Sequence, residues 1–172
     1  MNQPTNQKPL GNQAAEPGRT IQVVIVEDVR EVRDGLMMLI NGTHGFHCSA
    51  SFRTMEEVLR HLQKDAPDVI LTDIGLPGMS GIEGIPHLRE RFPEVPILAL
   101  TVYDNDDKIF DALCAGATGY LLKNTAPARL LDSIREAVEG GAPMSPEVAQ
   151  RVVHLLPRVS SAGACPAPAY AS

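Results

Sequence analysis

The sequence predicts an α/β protein, a doubly wound five-stranded parallel sheet covered by helices on both faces. Two observations support this fold class. Short apolar runs alternate along the chain with segments in which apolar residues recur at helical spacing. The alternation repeats five times, and successive strand–helix units of this kind form a parallel sheet with right-handed crossovers. In such a sheet the ligand site lies beyond the carboxyl ends of the strands.

The five predicted strands are short apolar runs, of the length that buried strands usually have. Each is followed by a segment of helical period, so each strand leads into a crossover helix. The predicted strands are Ile21–Val26, Phe46–Ser51, Val69–Thr72, Ile97–Thr101 and Thr118–Leu122.

Proline, glycine and small polar residues indicate where the helices begin and end. The third helix is expected over Gly81–Arg91, and Pro86 should disturb its early turns because proline lacks an amide proton and crowds the preceding turn. The fourth helix is expected to begin near Asp104, whose carboxylate would cap it. Thr125 is expected to cap the fifth helix, which ends at Gly140.

One more short helix is predicted after the fifth strand–helix unit, from Ser145 and Pro146 to Pro157, which should close it. Both ends of the chain are polar or rich in Pro and Ala, with little to bury. The predicted organisation is a disordered tail at 1–19, a globular domain at 20–141, a linker helix at 142–157 and a flexible linker at 158–172.

Charge and composition exclude some classes of function. The formal net charge of -6 argues against a surface built mainly to bind nucleic acid or an anionic membrane, which requires clustered Lys and Arg. The amino terminus has no apolar run of the signal-peptide kind, and no stretch approaches the roughly 18 apolar residues of a membrane span. We therefore expect a cytoplasmic protein that makes no membrane contact.

Polar residues follow four of the predicted strands. Glu27 and Asp28 follow the first strand, Asp73 follows the third, Thr101 ends the fourth and Lys123 follows the fifth. Because the carboxyl ends of parallel strands meet at one edge of the sheet, these side chains should share one pocket.

The pocket predicts metal-assisted phosphoryl chemistry. Three carboxylates repel one another unless a cation is present, and Mg²⁺ prefers oxygen ligands and bridges readily to phosphate. Asp73 could then attack a phosphorus atom while the metal and Lys123 neutralise the phosphoryl oxygens. The product would be an acyl phosphate on Asp73.

Four segments resemble one protein family in sequence and in order. They are VVIVED at Val23–Asp28, DVILTDIGLPGMSG at Asp68–Gly81, ILALT at Ile97–Thr101 and GATGYLLK at Gly116–Lys123. Together they resemble the receiver domain of bacterial two-component response regulators, in the LuxR/NarL-type branch whose full-length members carry a helix-turn-helix domain. The resemblance spans about residues 21–156.

The resemblance implies a flavodoxin-like sheet with strand order 2-1-3-4-5 and a magnesium site. Asp73 would be the phosphoacceptor and, with Asp28, a direct ligand of Mg²⁺. Glu27 would bind the ion through water, and the backbone carbonyl of Gly75 would be a further ligand.

The resemblance also implies a conformational switch. Thr101 would bond to the phosphoryl oxygen, and Tyr120 would swing inward as the Thr101 hydroxyl moves. The residue after the switch threonine is often small in this family but is Val102 here, which should narrow access to the phosphoryl group.

Two residues have simpler interpretations that the sequence leaves open. Asp28 could form a capping box with Glu31 at the start of the first helix. Tyr120 could be a fixed core aromatic residue instead of a moving switch.

The leading function is a phosphorylation switch whose phosphodonor is a sensor histidine kinase or a small acyl phosphate. Such a protein is not an enzyme beyond promoting its own phosphorylation and dephosphorylation, and it could form a homodimer when phosphorylated. One rival is a phosphohydrolase of the haloacid dehalogenase type, which resembles this pattern but requires a second Asp where this chain has Gly75. Another is an interaction module that keeps only the fold.

The expected output depends on what accompanies the receiver domain. Sixteen residues follow Leu156, and they are rich in Pro, Ala and Ser, so we expect no DNA binding by this chain alone. The resemblance favours the receiver part of a transcriptional regulator that binds DNA at full length. The alternative is a stand-alone receiver that acts through protein–protein contacts.

Overall fold

A computed structural model of the protein describes residues 18–62 and 65–162. Within them, five parallel strands form one sheet in the order β2-β1-β3-β4-β5, as predicted. The strands are β1 Ile21–Val26, β2 Phe46–Phe52, β3 Val69–Thr72, β4 Ile97–Thr101 and β5 Gly119–Leu122. The helices are α1 Arg30–Asn41, α2 Met55–His61, α3 Gly81–Arg91, α4 Asp106–Ala115, α5 Pro127–Val138 and α6 Pro146–Ala162.

The sheet is covered on both faces because alternate residues of each strand point in opposite directions. On one face, Ile25 and Leu121 belong to a buried cluster with Ile134 of α5. On the other face, Ile70 belongs to a cluster with Ile85 of α3. All the residues of β3 and β4 are buried, which agrees with strands that lie in the middle of a parallel sheet.

Helix α3 begins at Gly81, as the sequence predicts, and the hydroxyl of Ser80 accepts a hydrogen bond from the Glu83 amide at its start. The predicted disturbance at Pro86 does not interrupt the helix, which continues to Arg91. A proline removes one helical hydrogen bond, and burial of Ile85 and Leu88 beside it stabilises the surrounding turns.

The predicted caps of α4 and α5 are wrong. Asn105 caps α4, accepting from the Lys108 amide, whereas Asp104 pairs with Arg151 of α6. Ala126 is the N-cap residue of α5, and the Thr125 hydroxyl instead donates to the Leu122 carbonyl. In both cases a contact outside the helix takes the side chain that the local sequence assigned to the cap.

Helix α6 was predicted to end at Pro157, but it continues to Ala162. Leu155, two residues before the proline, is buried, and that packing holds the helix together across the missing hydrogen bond. The helix therefore covers the start of the segment at 158–172 that the sequence assigned to a flexible linker. Residues 1–17 and 163–172, which include nearly all of the predicted tail, lie outside the described residues.

Helix α6 packs against α4. Val148 and Leu155 of α6 share a buried cluster with Ile109 of α4 and Tyr120 of β5. None of the helices within residues 18–62 and 65–162 has the length and apolar content needed to cross a lipid bilayer.

Candidate functional site

Four of the polar residues predicted to share a pocket, Glu27, Asp28, Asp73 and Lys123, lie together beyond the carboxyl ends of the strands. The ammonium group of Lys123 lies 2.6 Å from Oε2 of Glu27 and 3.0 Å from Oδ2 of Asp73. All three side chains are largely buried, with exposed fractions of 16% for Lys123, 2% for Glu27 and 8% for Asp73. The ammonium group of Lys123, which follows β5, therefore forms ion pairs with residues that follow β1 and β3.

Backbone amides orient the Asp73 carboxylate. Its Oδ1 accepts hydrogen bonds from the amides of Ile74, at 2.7 Å, and Gly75, at 3.3 Å. Its Oδ2 accepts from Lys123. Both oxygens are thus held by donors, so the carboxylate has a fixed direction at the end of β3.

Three carboxylates form a cluster with the donor chemistry of a divalent cation site. One oxygen from each of Glu27, Asp28 and Asp73 lies within 4.8 Å of the others. Carboxylate oxygens in such a cluster suit a hard ion such as Mg²⁺, which binds through one or two carboxylates and keeps several waters. The residues present therefore fit the ion that the sequence predicts.

The alternative role of Asp28 as a helix cap is not supported. Among the described residues, the N-cap position of α1 is Val29, and it has no side-chain cap hydrogen bond. The Val29 amide instead donates to Oε1 of Glu27 at 3.0 Å. The Glu27 carboxylate thus accepts the backbone hydrogen bond at the start of α1, and the Asp28 carboxylate belongs to the cluster.

Burial and charge act together on the proton affinities in the pocket. Burial raises the pKa of Glu27, and the negative charge of Asp73 raises it further. The hydrogen bonds from Lys123 and Val29 lower this pKa, but burial outweighs them. Burial alone would lower the pKa of Lys123, but its hydrogen bonds to Glu27 and Asp73 outweigh burial and raise it. Lys123 is therefore a permanent cation at neutral pH.

Thr101 and Tyr120 are connected through the loop after β4. Both side chains are fully buried. Oγ1 of Thr101 accepts from the Tyr103 amide at 3.3 Å, and the Tyr120 hydroxyl donates to the Tyr103 carbonyl at 2.6 Å. Burial raises the pKa of Tyr120, and the charges of Asp104 and Asp73 add to the shift, so the phenol remains a protonated donor.

The sequence matches the family described as response regulator receiver domain over residues 23–135, which is more than half of the chain. The chain belongs to this family. Its fold and the convergence of residues after β1, β3 and β5 agree with that assignment.

Among curated proteins, this receiver domain is 32% identical over 133 residues to the transcriptional regulatory protein DegU of Brevibacillus brevis. It is 34% identical over 121 residues to the oxygen regulatory protein NreC of Staphylococcus haemolyticus. These matches cover 77% and 70% of the chain and 56% of each relative. The chain thus spans little more than half the length of these relatives.

A solved structure gives the same assignment. The crystal structure of a two-component response regulator of the LuxR family from Aurantimonas sp. SI85-9A1 is 32% identical, with a TM-score of 0.74. The match covers 81% of this chain and 99% of that one. The LuxR-type branch that the motifs predict is therefore confirmed.

The receiver-domain site contains one aromatic residue that the sequence did not single out. Tyr103 lies against Gly75, since a Cβ atom added to Gly75 would be 2.9 Å from Cε2 of the tyrosine ring. Val102, which was expected to narrow access to the site, has 69% of its side chain exposed. The ring of Tyr103 therefore contacts the Asp73 loop at Gly75.

Gly81 also supports the receiver-domain site in a way that the sequence did not indicate. A Cβ atom at this position would be 2.2 Å from the carbonyl oxygen of Asp73 and 2.9 Å from Cα of Ile74. The Gly81 amide donates to the Ile74 carbonyl. The start of α3 therefore packs directly on the backbone of the Asp73 loop, and only glycine fits there.

Proposed function

We propose that the chain is a phosphorylation-dependent signalling switch that accepts a phosphoryl group on Asp73 from a partner histidine kinase. The observation that carries the proposal is the position of Lys123, whose ammonium group bridges Asp73 and Glu27 in a buried carboxylate cluster. Membership of the receiver family and the orientation of the Asp73 carboxylate give further support.

The chemistry of the pocket suits attack by a carboxylate oxygen. An oxygen of Asp73 forms a bond to phosphorus as the bond from phosphorus to the donor's imidazole nitrogen breaks. The amides of Ile74 and Gly75 hold Asp73 in one orientation, which reduces the entropy lost on reaching the transition state. The Lys123 ammonium lies 3.0 Å from Oδ2, where it can neutralise an oxygen of a phosphoryl group whose phosphorus is bonded to Asp73.

Mg²⁺ is the proposed cofactor of this step. Asp28 and Asp73 would be direct ligands, Glu27 would bind through water, and the backbone carbonyl of Gly75 would complete the protein's share. When bound, the ion neutralises negative charge on the phosphoryl group and on the carboxylates around it.

Thr101 and Tyr120 are proposed to couple phosphorylation of Asp73 to a change in conformation. Thr101 would exchange its bond from the Tyr103 amide for a bond to a phosphoryl oxygen. Because the Tyr103 carbonyl accepts from Tyr120, this exchange would move a loop to which Tyr120 is already attached. Tyr120 is already buried in this structure, so the expected inward swing is not needed to reach its packed position.

We propose that the chain acts as the receiver part of a transcriptional regulator in the cytoplasm. The name of the DegU relative supports this output. DNA binding would then require a further domain of the full-length protein, and phosphorylation would promote homodimers. A stand-alone receiver acting through protein contacts is the alternative, and a phosphorylation-dependent shift in mass by light scattering on this chain alone would test dimerisation by the receiver.

Turnover of external substrates is not part of the proposal. A phosphohydrolase of the haloacid dehalogenase type needs a second Asp two residues after the nucleophile, where this chain has Gly75. We expect no multiple turnover of a phosphomonoester such as p-nitrophenyl phosphate with Mg²⁺. Sustained release of phosphate that depends on Asp73 would favour the phosphohydrolase.

The central test is phosphoryl incorporation from acetyl phosphate with Mg²⁺, followed by intact mass spectrometry. Wild type should gain one phosphoryl group and Asp73→Asn none, because an amide oxygen is a far poorer nucleophile. Asp132→Asn is the matched control, since Asp132 lies on the exposed side of α5 and pairs only locally with Arg135. Equal incorporation in Asp73→Asn and wild type would refute the site.

A further inference from the structure

The outer edge of β5 is covered by the residues that precede α6. Among the described strands β5 is at the edge of the sheet, so the backbone groups on its outer side need other partners. The Tyr120 amide donates to the Pro143 carbonyl at 3.0 Å, and the Ser145 amide donates to the Tyr120 carbonyl at 3.2 Å. Residues 143–145 therefore lie along β5, and Met144 forms a parallel bridge with Tyr120.

Two residues further along β5, at Leu122, a side chain takes over this role. Oγ of Ser145 accepts from the Leu122 amide at 3.0 Å and lies 3.2 Å from Oγ1 of Thr125. The single proton of the Thr125 hydroxyl goes to the Leu122 carbonyl, so the Ser145 hydroxyl must donate to Thr125. Three hydrogen bonds thus form a closed ring that starts at the amide of Leu122 and ends at its carbonyl.

The ring joins Leu122 to Thr125, the two ends of the turn that carries Lys123. Ser145 is only 5% exposed and Leu122 only 8%, so water does not replace these bonds readily. The Lys123 amide itself donates to the Thr101 carbonyl at 2.9 Å. The Thr125 amide also donates to the Leu122 carbonyl at 2.9 Å. The backbone on both sides of Lys123 is therefore fixed by hydrogen bonds, and the Ser145 hydroxyl supplies the one that comes from the residues before α6.

We propose that Ser145 is a positioning residue for Lys123. The inference rests on the proposed function, in which the Lys123 ammonium neutralises the phosphoryl group on Asp73. Ser145 touches neither the phosphoryl group nor the metal cluster. It holds the Leu122–Thr125 turn so that the ammonium lies between Glu27 and Asp73.

The linker helix is thereby part of the support of the site. The Ser145 carbonyl accepts from the Ala149 amide at 2.9 Å, which is the first hydrogen bond of α6. Val148 is fully buried one turn into the same helix. A displacement of the start of α6 would consequently withdraw the hydroxyl from Leu122 and loosen the turn beside Lys123.

Two variants test the proposal by opening the ring at different members. Ser145→Ala removes the hydroxyl from the linker side, and Thr125→Val removes it from the turn while keeping the side-chain shape. Ser133→Ala is the matched control, because Ser133 is fully buried and its hydroxyl donates to the Arg129 carbonyl within α5. Three quantities are measured for each variant. The first is the affinity for Mg²⁺; the other two, measured at saturating Mg²⁺, are the affinity for beryllofluoride and the rate of phosphorylation by acetyl phosphate.

Each ring variant should bind beryllofluoride more weakly and react more slowly with acetyl phosphate, on the order of tenfold, since a small misplacement of a charged group strongly reduces its effect. The Mg²⁺ affinity should change far less than the beryllofluoride affinity, because the carboxylates follow other strands and the displaced ammonium stays in the pocket. Ser145→Thr, which restores a hydroxyl, should recover part of the loss. The double variant should be no worse than either single one, because both open the same ring.

The outcomes separate this inference from the function on which it rests. If wild type with Mg²⁺ fails to bind beryllofluoride, the proposed function is wrong. If wild type binds it and both ring variants match Ser133→Ala, or if the two ring losses add in the double variant, Ser145 does not position Lys123. Thr125→Val decides the question if Ser145→Ala does not fold.

Discussion

The ring of Tyr103 lies against the α-carbon of Gly75. A Cβ atom added to Gly75 would be 2.9 Å from Cε2 and 3.1 Å from the hydroxyl oxygen of the ring. The Gly75 amide donates to the Asp73 carboxylate, so the aromatic ring contacts a residue that is hydrogen-bonded to the proposed phosphoacceptor. Tyr103 is 40% exposed and Gly75 is also exposed, so the ring contacts this loop on its solvent-facing side.

Removal of the Tyr103 ring should shorten the life of the acyl phosphate. We expect Tyr103→Ala to lose phosphate faster than wild type, by on the order of a few-fold, because exclusion of water from a site suppresses hydrolysis. Tyr103→Phe keeps the ring and should behave as wild type. Decay of the phosphorylated form, followed by intact mass after removal of acetyl phosphate, gives the rates. Equal decay in the alanine and phenylalanine variants would show that the ring does not shield the site.

A methyl group at Gly81 should displace the Asp73 loop. Its Cβ would lie 2.2 Å from the Asp73 carbonyl oxygen, so the backbone must move. We expect Gly81→Ala to lower the free energy of unfolding by about 1–3 kcal/mol through overpacking and to weaken beryllofluoride binding. Gly35→Ala in α1 is the control, because nothing lies within 4 Å of its added methyl group. It should stabilise the helix by about 0.5–1 kcal/mol, and urea titrations compare the two.

The sequence was sufficient to predict the residues that carry charge into the site. Glu27, Asp28, Asp73 and Lys123 each follow a strand that is apolar enough to be recognised from its own residues. Once the strands are assigned, the geometry of a parallel sheet brings their carboxyl ends together. The cluster could therefore be predicted without knowledge of any side-chain contact, whereas the strand order was implied by the resemblance to receiver domains.

The parts that the sequence missed depend on contacts between distant segments. Asp104 and Thr125 are residue types that often cap helices. Asp104 instead pairs with Arg151 of α6, and the Thr125 hydroxyl forms hydrogen bonds with Leu122 and Ser145. Tyr103 and Ser145 show no local pattern that distinguishes them from surface residues. Their positions follow from how a loop and a linker pack on the sheet, which residue periodicity does not report.

Lys123→Ala should separate metal binding from phosphoryl recognition. Loss of the ammonium removes a positive charge that repels Mg²⁺, so the Mg²⁺ affinity should rise. Beryllofluoride should bind on the order of ten- to hundredfold more weakly, the range expected when a charge-assisted hydrogen bond is lost. At saturating mimic, the amide NMR shifts at Thr101 and Tyr120 should be smaller than in wild type. A full response would exclude Lys123 from the coupling, and Lys108→Ala, at an exposed position, is the control.

Glu56 makes the stability of the Asp73 loop depend on pH. Its carboxylate accepts from the Met79 amide at 2.7 Å, and this hydrogen bond lowers the pKa of Glu56. A carboxyl whose pKa is lowered by folding stabilises the folded state above its unfolded pKa, and this contribution is lost as the pH falls through the folded pKa.

The test is to compare wild type with Glu56→Gln by urea unfolding at several pH values. Wild type should be the more stable near neutral pH, and the two should converge as the pH falls through and below the ordinary glutamate pKa of about 4.3, where wild type becomes neutral as well. Glu83→Gln, at the first turn of α3, controls for general charge effects. A difference that does not change with pH would mean that the charge of Glu56 does not hold the loop.

Arg151 should hold α6 against the start of α4. Its guanidinium lies 3.1 Å from Oδ1 of Asp106 and 3.8 Å from Oδ2 of Asp104, and all three side chains are partly exposed. Exposed pairs contribute little to global stability, so Arg151→Ala should lower the free energy of unfolding by only about 0.2–1 kcal/mol.

The local effect on α6 should be larger than the global effect, because few other polar contacts join the helix to α4 in the described residues. We expect faster amide hydrogen exchange in α6 of Arg151→Ala while the exchange of β3 and β4 is unchanged. Arg30→Ala is the matched control, since Arg30 pairs with Asp34 at 3.5 Å within α1 and does not involve α6. The difference between Arg151→Ala and wild type should shrink at about 1 M salt, where the screening length falls to about 3 Å. If exchange in α6 is the same in both arginine variants, apolar packing alone attaches the helix to α4.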